Sequence, residues 1–287
     1  MAAARAYGRG PPPPPLKDES RIPAMRILLT NDDGIYAPGL EAMRKSLERL
    51  GEVTVVAPAT EQSGVGHSIT FLTPLMASEV YDGDRLRGWA VEGSPADCVK
   101  LAAGELCDGP IDLCVSGVNG GLNVGINVLY SGTVAAASEA ALHGLPSIAV
   151  SLEWDTHPRF DRAAALAAGV IEQMLERDAW RDHPLYNLNV PTSAVADGAS
   201  AAPELRITTM GVTPWTTVFH ERQDPKGRRY YWVDGAPPAK APAADSDLVA
   251  VGDGALSLSP LLLDRTQHNQ LESMRSWGLT APESAGV

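Results

Sequence analysis

Cysteine is scarce in this chain: Cys98, Cys107 and Cys114 are the only three among 287 residues. Their number and irregular spacing exclude a disulfide framework and a cysteine zinc site. Cys98 and Cys114 fall within helix and strand patterns, so they read as reduced thiols of a cytoplasmic protein. Basic residues are also in deficit, with 23 Lys and Arg against 35 Asp and Glu and a formal net charge of −12. A nucleic-acid polymer as a stable partner would need a basic footprint, and none exists. A small anionic substrate is still admitted, because one divalent cation can dominate the field inside a cleft. No apolar run approaches the roughly 20 residues that span a bilayer. Residues 1–24 carry Pro11 to Pro15 and no apolar segment. They are no secretory signal and read as a disordered, proline-rich tail.

Several familiar motifs are missing as well. No GxGxxG follows the first strand pattern, and no GxxxxGK[ST] occurs anywhere. The dinucleotide-binding and Walker-type readings therefore lose their key support. Ser63-Gly64-Val65-Gly66 is not the Gly-x-Ser-x-Gly elbow, which leaves an acyl hydrolase built on Ser63 and His67 without its motif. His67 lies in a glycine-rich stretch and reads as a structural or substrate-edge histidine rather than a general base.

What is present is organised around Arg26 to Gly34. Its apolar residues run continuously, the pattern of a strand buried on both faces, and end in Asp32-Asp33-Gly34. Leu40, Met43, Leu47 and Leu50 then recur at helical spacing. Glu52 to Pro58 reads as a second buried strand, and Ile69 to Met76 and Arg87 to Glu92 as two more. Ser94, Pro95 and Asp97 form a helix start with an N-cap, an N1 proline and a carboxylate at N3. Further strands are expected at Ile111 to Ser116, Ser147 to Ser151 and Leu185 to Val190. Helices are expected at Val134 to His143 and Phe160 to Glu176. This alternation predicts one α/β domain over 25–287 with a mainly parallel, doubly wound, Rossmann-like sheet. Residues 205–245 read as a protruding hairpin and loop extension, with Trp215, Phe219, Tyr230, Tyr231 and Trp232 on it. Those aromatics suit local core and an oligomer interface equally. Asp247 to Leu263 reads as a returning strand, and Gln267 to Leu279 as a final helix.

In a parallel sheet the loops at the carboxyl ends of strands share one edge, where ligands bind. There the chain places Asp32 and Asp33, then Ser63, then Asn119. Two carboxylates, a hydroxyl and an amide oxygen form an all-oxygen set suited to Mg²⁺, Mn²⁺ or Ca²⁺ rather than zinc. The glycine- and asparagine-rich loop from Gly117 leads to Ser131-Gly132-Thr133 at a helix start, a natural anion cradle. The same three residues also satisfy an ordinary serine N-cap.

Read in order, Asn31-Asp32-Asp33-Gly34, Ala37-Pro38-Gly39, Ser63-Gly64, Gly93-Ser94-Pro95-Ala96-Asp97, Ser116-Gly117-Val118-Asn119 and Tyr130-Ser131-Gly132-Thr133 resemble the SurE (survival protein E) family. The likeness runs from Met25 to about Pro260. It implies a metal-dependent 5′/3′-nucleotidase acting on nucleoside monophosphates, with one divalent cation per subunit. By position, the family's metal ligands match Asp32, Asp33, Ser63 and Asn119, and its phosphate pocket matches Asn123, Ser131, Gly132 and Thr133. Asp32 and Asp33 are the expected catalytic pair, with Asp32 favoured to act on the attacking water. Leu122 and Asn127 depart from the pattern, standing where proline and aspartate are common. The family also implies a homodimer or homotetramer formed by C-terminal exchange. The rival readings are a phosphatase with a covalent aspartyl-phosphate and a nucleotide-binding sensor without turnover.

Overall fold

The structure is a computed structural model that describes residues 25–200, 202–213, 216–236 and 241–281. The proline-rich stretch 1–24, Trp215 and residues 237–240 of the expected extension lie outside those residues. In chain order the first elements are β1 (Met25–Thr30), α1 (Pro38–Leu47), β2 (Gly51–Pro58), β3 (Ala77–Asp82), β4 (Arg85–Val91) and α2 (Pro95–Leu101). Then follow β5 (Leu113–Gly120), α3 (Gly132–Leu142), β6 (Ser147–Leu152), α4 (Phe160–Glu176), β7 (Leu185–Val190) and the short α5 (Thr192–Val195). The last are β8 (Leu205–Ile207), β9 (Thr216–Gln223), β10 (Arg229–Ala236), α6 (Asp247–Gly252), β11 (Leu256–Pro260) and α7 (His268–Arg275).

Among the described residues nine strands form one sheet, ordered β3-β4-β2-β1-β5-β6-β7-β11-β8. Pairing is parallel from β4 through β7; β3 with β4 and β7 with β11 are antiparallel. This is the mainly parallel α/β sheet that the sequence predicts. β1 shows why the sheet is doubly covered. Ile27 and Leu29 pack with Leu40, Met43 and Leu47 of α1 and with Ala167 and Ile171 of α4. Leu28 points the other way, against Cys98 and Val99 of α2 and Ala136 and Ala140 of α3. Each such buried aliphatic side chain contributes about 1.5–3 kcal/mol, so strand order follows from which faces must be covered. Gly39 lets α1 lie close on β5. A Cβ there would stand 2.0 Å from the Val118 carbonyl oxygen.

Two expected strands are not strands. Ile69 to Met76 is a largely exposed arm, and its Thr70 N–H donates to a side chain, Asp97 Oδ1, at 2.9 Å. Asp247 to Gly252 is the helix α6, with Ser246 as N-cap accepting from Val249 N–H. Its β-branched residues read as strand, but the capping serine decided the local outcome. β11 then forms over Leu256–Pro260.

Phe219, Tyr230, Tyr231 and Trp232 lie on a separate two-stranded ribbon, β9 with β10, closed by the Asp224 to Arg228 turn. Phe219, Tyr231 and Trp232 are exposed on it, and α7 buries none of its residues. No helix among the described residues is long and apolar enough to cross a membrane.

Candidate active site

From β1 the chain crosses to β2 on one side, and it later returns to β1's other side at β5. The loops after β1 and β5 therefore diverge and leave a crevice at the carboxyl edge of the sheet. Asn31 builds the first loop. Its amide nitrogen donates to the Gly34 carbonyl at 3.1 Å, and its Oδ1 accepts from Gly34 N–H at 3.2 Å. Gly34 has φ +100°, which favours glycine. The loop after β2 is tied to this turn by Gln62 N–H donating to the Asp32 carbonyl at 2.8 Å.

Asp32 is 5 % exposed. Thr133 donates its hydroxyl to Asp32 Oδ1 at 2.5 Å. Burial pushes the Asp32 carboxyl above its usual range, against the pull of the Thr133 hydroxyl and of N–H groups including those of Thr133 and Gly132. Asp33 is more open, and Gly120 N–H donates to its Oδ2 at 3.3 Å. Its carboxyl is pushed up to about 6, first by burial, then by the charge of Asp32, with a contribution from Glu61. Both carboxylates thus pay a cost for ionising side by side, which a hard cation would remove.

The other two expected ligands come from loops that meet this pair. Ser63 is exposed and donates its hydroxyl to Glu61 Oε1 at 2.6 Å, leaving its oxygen lone pairs. Asn119 donates its amide nitrogen to the Gly121 carbonyl at 2.6 Å, and Oδ1 is the ligating atom it keeps. Its neighbour Gly120 is the donor to Asp33, so the loop end of β5 touches the carboxylate pair directly. Among the described residues no group of three or more His, Cys, Asp or Glu is arranged to hold a metal. The candidate set depends on two carboxylates and two neutral oxygens, a composition that fits Mg²⁺ or Mn²⁺ and not a soft-metal site.

The four cradle residues divide. Gly132 packs directly on Asp32, where a Cβ would stand 2.7 Å from Asp32 Cβ and 2.9 Å from its Oδ2. Thr133, fully buried, is bonded to Asp32 as described. Ser131 is the N-cap of α3, accepting from Val134 N–H at 3.0 Å. Asn123 is set deeper: its N–H donates to Asn189 Oδ1, its amide nitrogen to Ser151 Oγ, and its carbonyl accepts from Asn187 and Asn189. It pins the loop to β6 and β7, and these bonds reach neither carboxylate.

Two contributors escape sequence reasoning. Glu61 touches Ser63 and raises the proton affinity of Asp33, yet nothing in its local sequence marks it. Glu139, in α3, is buried and holds His67 Nε2 at 2.7 Å, Lys100 Nζ at 3.1 Å and His143 Nε2 at 3.3 Å. A charged residue in the alanine-rich face of α3 was the available signal.

Fold and site together define a doubly wound α/β protein with an acidic, oxygen-donor site at its topological switch point. The family model for survival protein SurE matches residues 27–217. The 5′-nucleotidase SurE of Rhodopirellula baltica is 52 % identical over 256 residues, covering 89 % of this chain and 99 % of that protein. That of Carboxydothermus hydrogenoformans is 42 % identical over 258 residues, covering 88 % and 96 %. The crystal structure of SurE protein from Aquifex aeolicus superposes with a TM-score of 0.74 at 32 % identity, covering 88 % of this chain and 99 % of that one. The chain belongs to the SurE family.

Proposed function

We propose that this chain is a nucleotidase that hydrolyses nucleoside 5′- and 3′-monophosphates to nucleoside and phosphate, using one Mg²⁺ or Mn²⁺ per subunit. The observation that carries the reading is the packing of Asp32 and Asp33 against the N-terminus of α3 and the end of β5. The names of the relatives support the same activity. Asp32, Asp33, Ser63 and Asn119 would hold the cation. When bound, it supplies Lewis-acid charge at phosphoryl oxygens and makes water a better nucleophile.

The environments of the two aspartates divide their work. Asp32 is sealed and fixed by Thr133, which suits a rigid ligand. Asp33 is more open and accepts from Gly120 N–H, which suits orienting the attacking water, the role for which the sequence favours Asp32. Ser131 and Gly132, at the positive end of α3, stabilise charge on the non-bridging oxygens. Asn123 keeps the loop that carries them in register. Two buried cysteines, Cys98 and Cys114, whose thiols burial pushes up, suit a reducing cytoplasm.

Phosphate release from 5′-AMP and 3′-AMP by the purified chain is expected with Mn²⁺ or Mg²⁺, to fall to background with chelator, and to return with excess cation. Release that survives chelation would sink the metal assignment, and no release under any condition would leave only a binding protein.

The ribbon β9–β10 and α7 support assembly as a homodimer or homotetramer. An exposed, self-paired ribbon carrying Phe219, Tyr231 and Trp232 has apolar area that only a second surface would cover. Light scattering should give a mass of two or four chains, and removing 216–236 should shift it toward one. An unchanged mass after removal would place the interface elsewhere.

A further inference from the structure

A third carboxylate stands beside the two aspartates. Glu61 is exposed, and its charge is felt at Asp33. Among the described residues no Lys, Arg or His pairs with it. Nor does it join Asp32 and Asp33 as a further ligand, since no group of three His, Cys, Asp or Glu among the described residues is arranged to hold a metal. A like charge placed there has a cost, and no ion pair offsets it. What Glu61 holds is Ser63, whose hydroxyl donates to its Oε1 at 2.6 Å.

The main chain supports this pair from one side. Ile35 N–H donates to the Pro58 carbonyl at 2.9 Å, and Gln62 N–H to the Asp32 carbonyl at 2.8 Å. Gly34 packs on the same stretch, where a Cβ would stand 3.4 Å from the Thr60 carbonyl carbon and 3.5 Å from Glu61 N. Residues 58–62 are thus docked on the aspartate loop. Beyond Ser63 the support thins. Gly64, at φ +72°, has nothing within 4 Å of where a Cβ would stand, and the backbone is tied again at Gly66, whose N–H donates to the Tyr130 carbonyl at 2.9 Å. An exposed serine on such an edge samples several rotamers unless a partner selects one.

Resting on the nucleotidase reading above, we propose that Glu61 is a positioning residue that orients Ser63 as a cation ligand. A hydroxyl has one proton and two lone pairs. With the proton directed to Glu61, both lone pairs stay available, and the hydroxyl cannot turn its proton toward an incoming cation. Partners behind metal ligands generally work this way, fixing orientation and raising basicity. For folding alone the bond contributes little, because water offers both groups equivalent partners. Its effect is on geometry, and Glu61 acts through Ser63 rather than on substrate.

The test measures Mn²⁺ binding to the purified full chain by calorimetry, a readout independent of turnover. Glu61→Gln removes the charge and keeps an acceptor for Ser63, whereas Glu61→Ala removes both. Glu61→Ala should weaken Mn²⁺ by about 10-fold or more, as loss of an outer partner does. Glu61→Gln should weaken it by no more than about threefold, since an exposed charge is screened. Combined with Ser63→Ala, the two changes at position 61 should agree within about twofold, because the hydroxyl that distinguishes them is gone. Equal effects of Glu61→Gln and Glu61→Ala with Ser63 present, or a difference that persists without it, would overturn the proposal. So would a Tm in chelator that falls in step with affinity, which would make the role one of folding only. The two readings fail separately. Mn²⁺ binding and AMP hydrolysis that ignore position 61 remove Glu61 and keep the nucleotidase. The full pattern in Mn²⁺ binding without AMP hydrolysis keeps Glu61 as the residue that orients a cation ligand and removes the nucleotidase.

Discussion

Replacing Asp33 with Asn is expected to lower kcat by at least ~10²-fold, comparable to removing a major electrostatic element, while making the cation-free protein more stable at pH 8. The second half follows from the sign of the shift. Burial and the neighbouring Asp32 push the Asp33 carboxyl up to about 6 in the folded protein, against roughly 3.9 in an unfolded chain. Between those values the folded state binds the extra proton. Its stabilising effect is complete below the unfolded value, and stability falls as pH rises through about 6. At pH 8 the charge is present at full cost. Asn is neutral and keeps the acceptor for Gly120 N–H, so it removes that cost. After allowance for screening at a partly open site, the gain is on the order of 1 kcal/mol. Melting curves of both proteins with chelator should therefore differ at pH 8 and converge near pH 4. Adding Mn²⁺ should raise the Tm of the unmodified protein and do much less for the variant. Near-normal turnover after cation titration would remove Asp33 from the reaction, and equal melting at both pH values would mean that its carboxylate carries no electrostatic cost.

Much of this site was legible because it is written in short-range patterns. An uninterrupted apolar run ending in two carboxylates specifies a buried strand and a loop at its carboxyl end, and β1 with Asp32 and Asp33 is that arrangement. Ser94 and Asp97 announce a capping box, which is formed in both directions. The long amphipathic repeat of Phe160–Glu176 and the strand expected over Leu185–Val190 fall at their expected limits. What stayed hidden depends on partners far along the chain. Thr133 sits 101 residues from the carboxylate it bonds, so its hydroxyl could be read only as a free donor. Asn187 and Asn189 alternate on one face of β7, where a fully apolar strand would be the norm. They serve the backbone of Asn123 more than 60 residues earlier. That period-two pair of amides was a usable sign that something polar packs there. The arm from Ile69 to Met76 failed for the opposite reason. Its composition suits a strand, but Thr70 N–H is taken by Asp97, and proline at position 74 removes another donor.

Gly132→Ala is the variant in which two physical effects oppose each other, and its sign decides whether the start of α3 rests on Asp32. Helix propensity alone favours alanine over glycine by roughly 0.5–1 kcal/mol. Gly132 has no left-handed backbone angle to lose, so propensity by itself predicts a small gain. Against this, the added Cβ would stand 2.7 Å from Asp32 Cβ, 2.9 Å from Oδ2 and 3.1 Å from Pro95 Cγ. None of these is the free end of a long side chain. Asp32 is held by Thr133, and Pro95 by the first turn of α2. Overpacking of such a site costs typically about 1–3 kcal/mol, which outweighs the propensity. The expected result is a lower Tm in chelator, a smaller Tm gain on adding Mn²⁺, and turnover reduced by about 10-fold or more as Asp32 is pushed from its place. Because Thr133 would be carried away with the helix start, Asp32 would also lose its 2.5 Å hydroxyl donor, so cation affinity and stability should fall together. A raised Tm with unaltered cation response would show that the helix start stands clear of Asp32, and the shared cradle would then lose its physical basis.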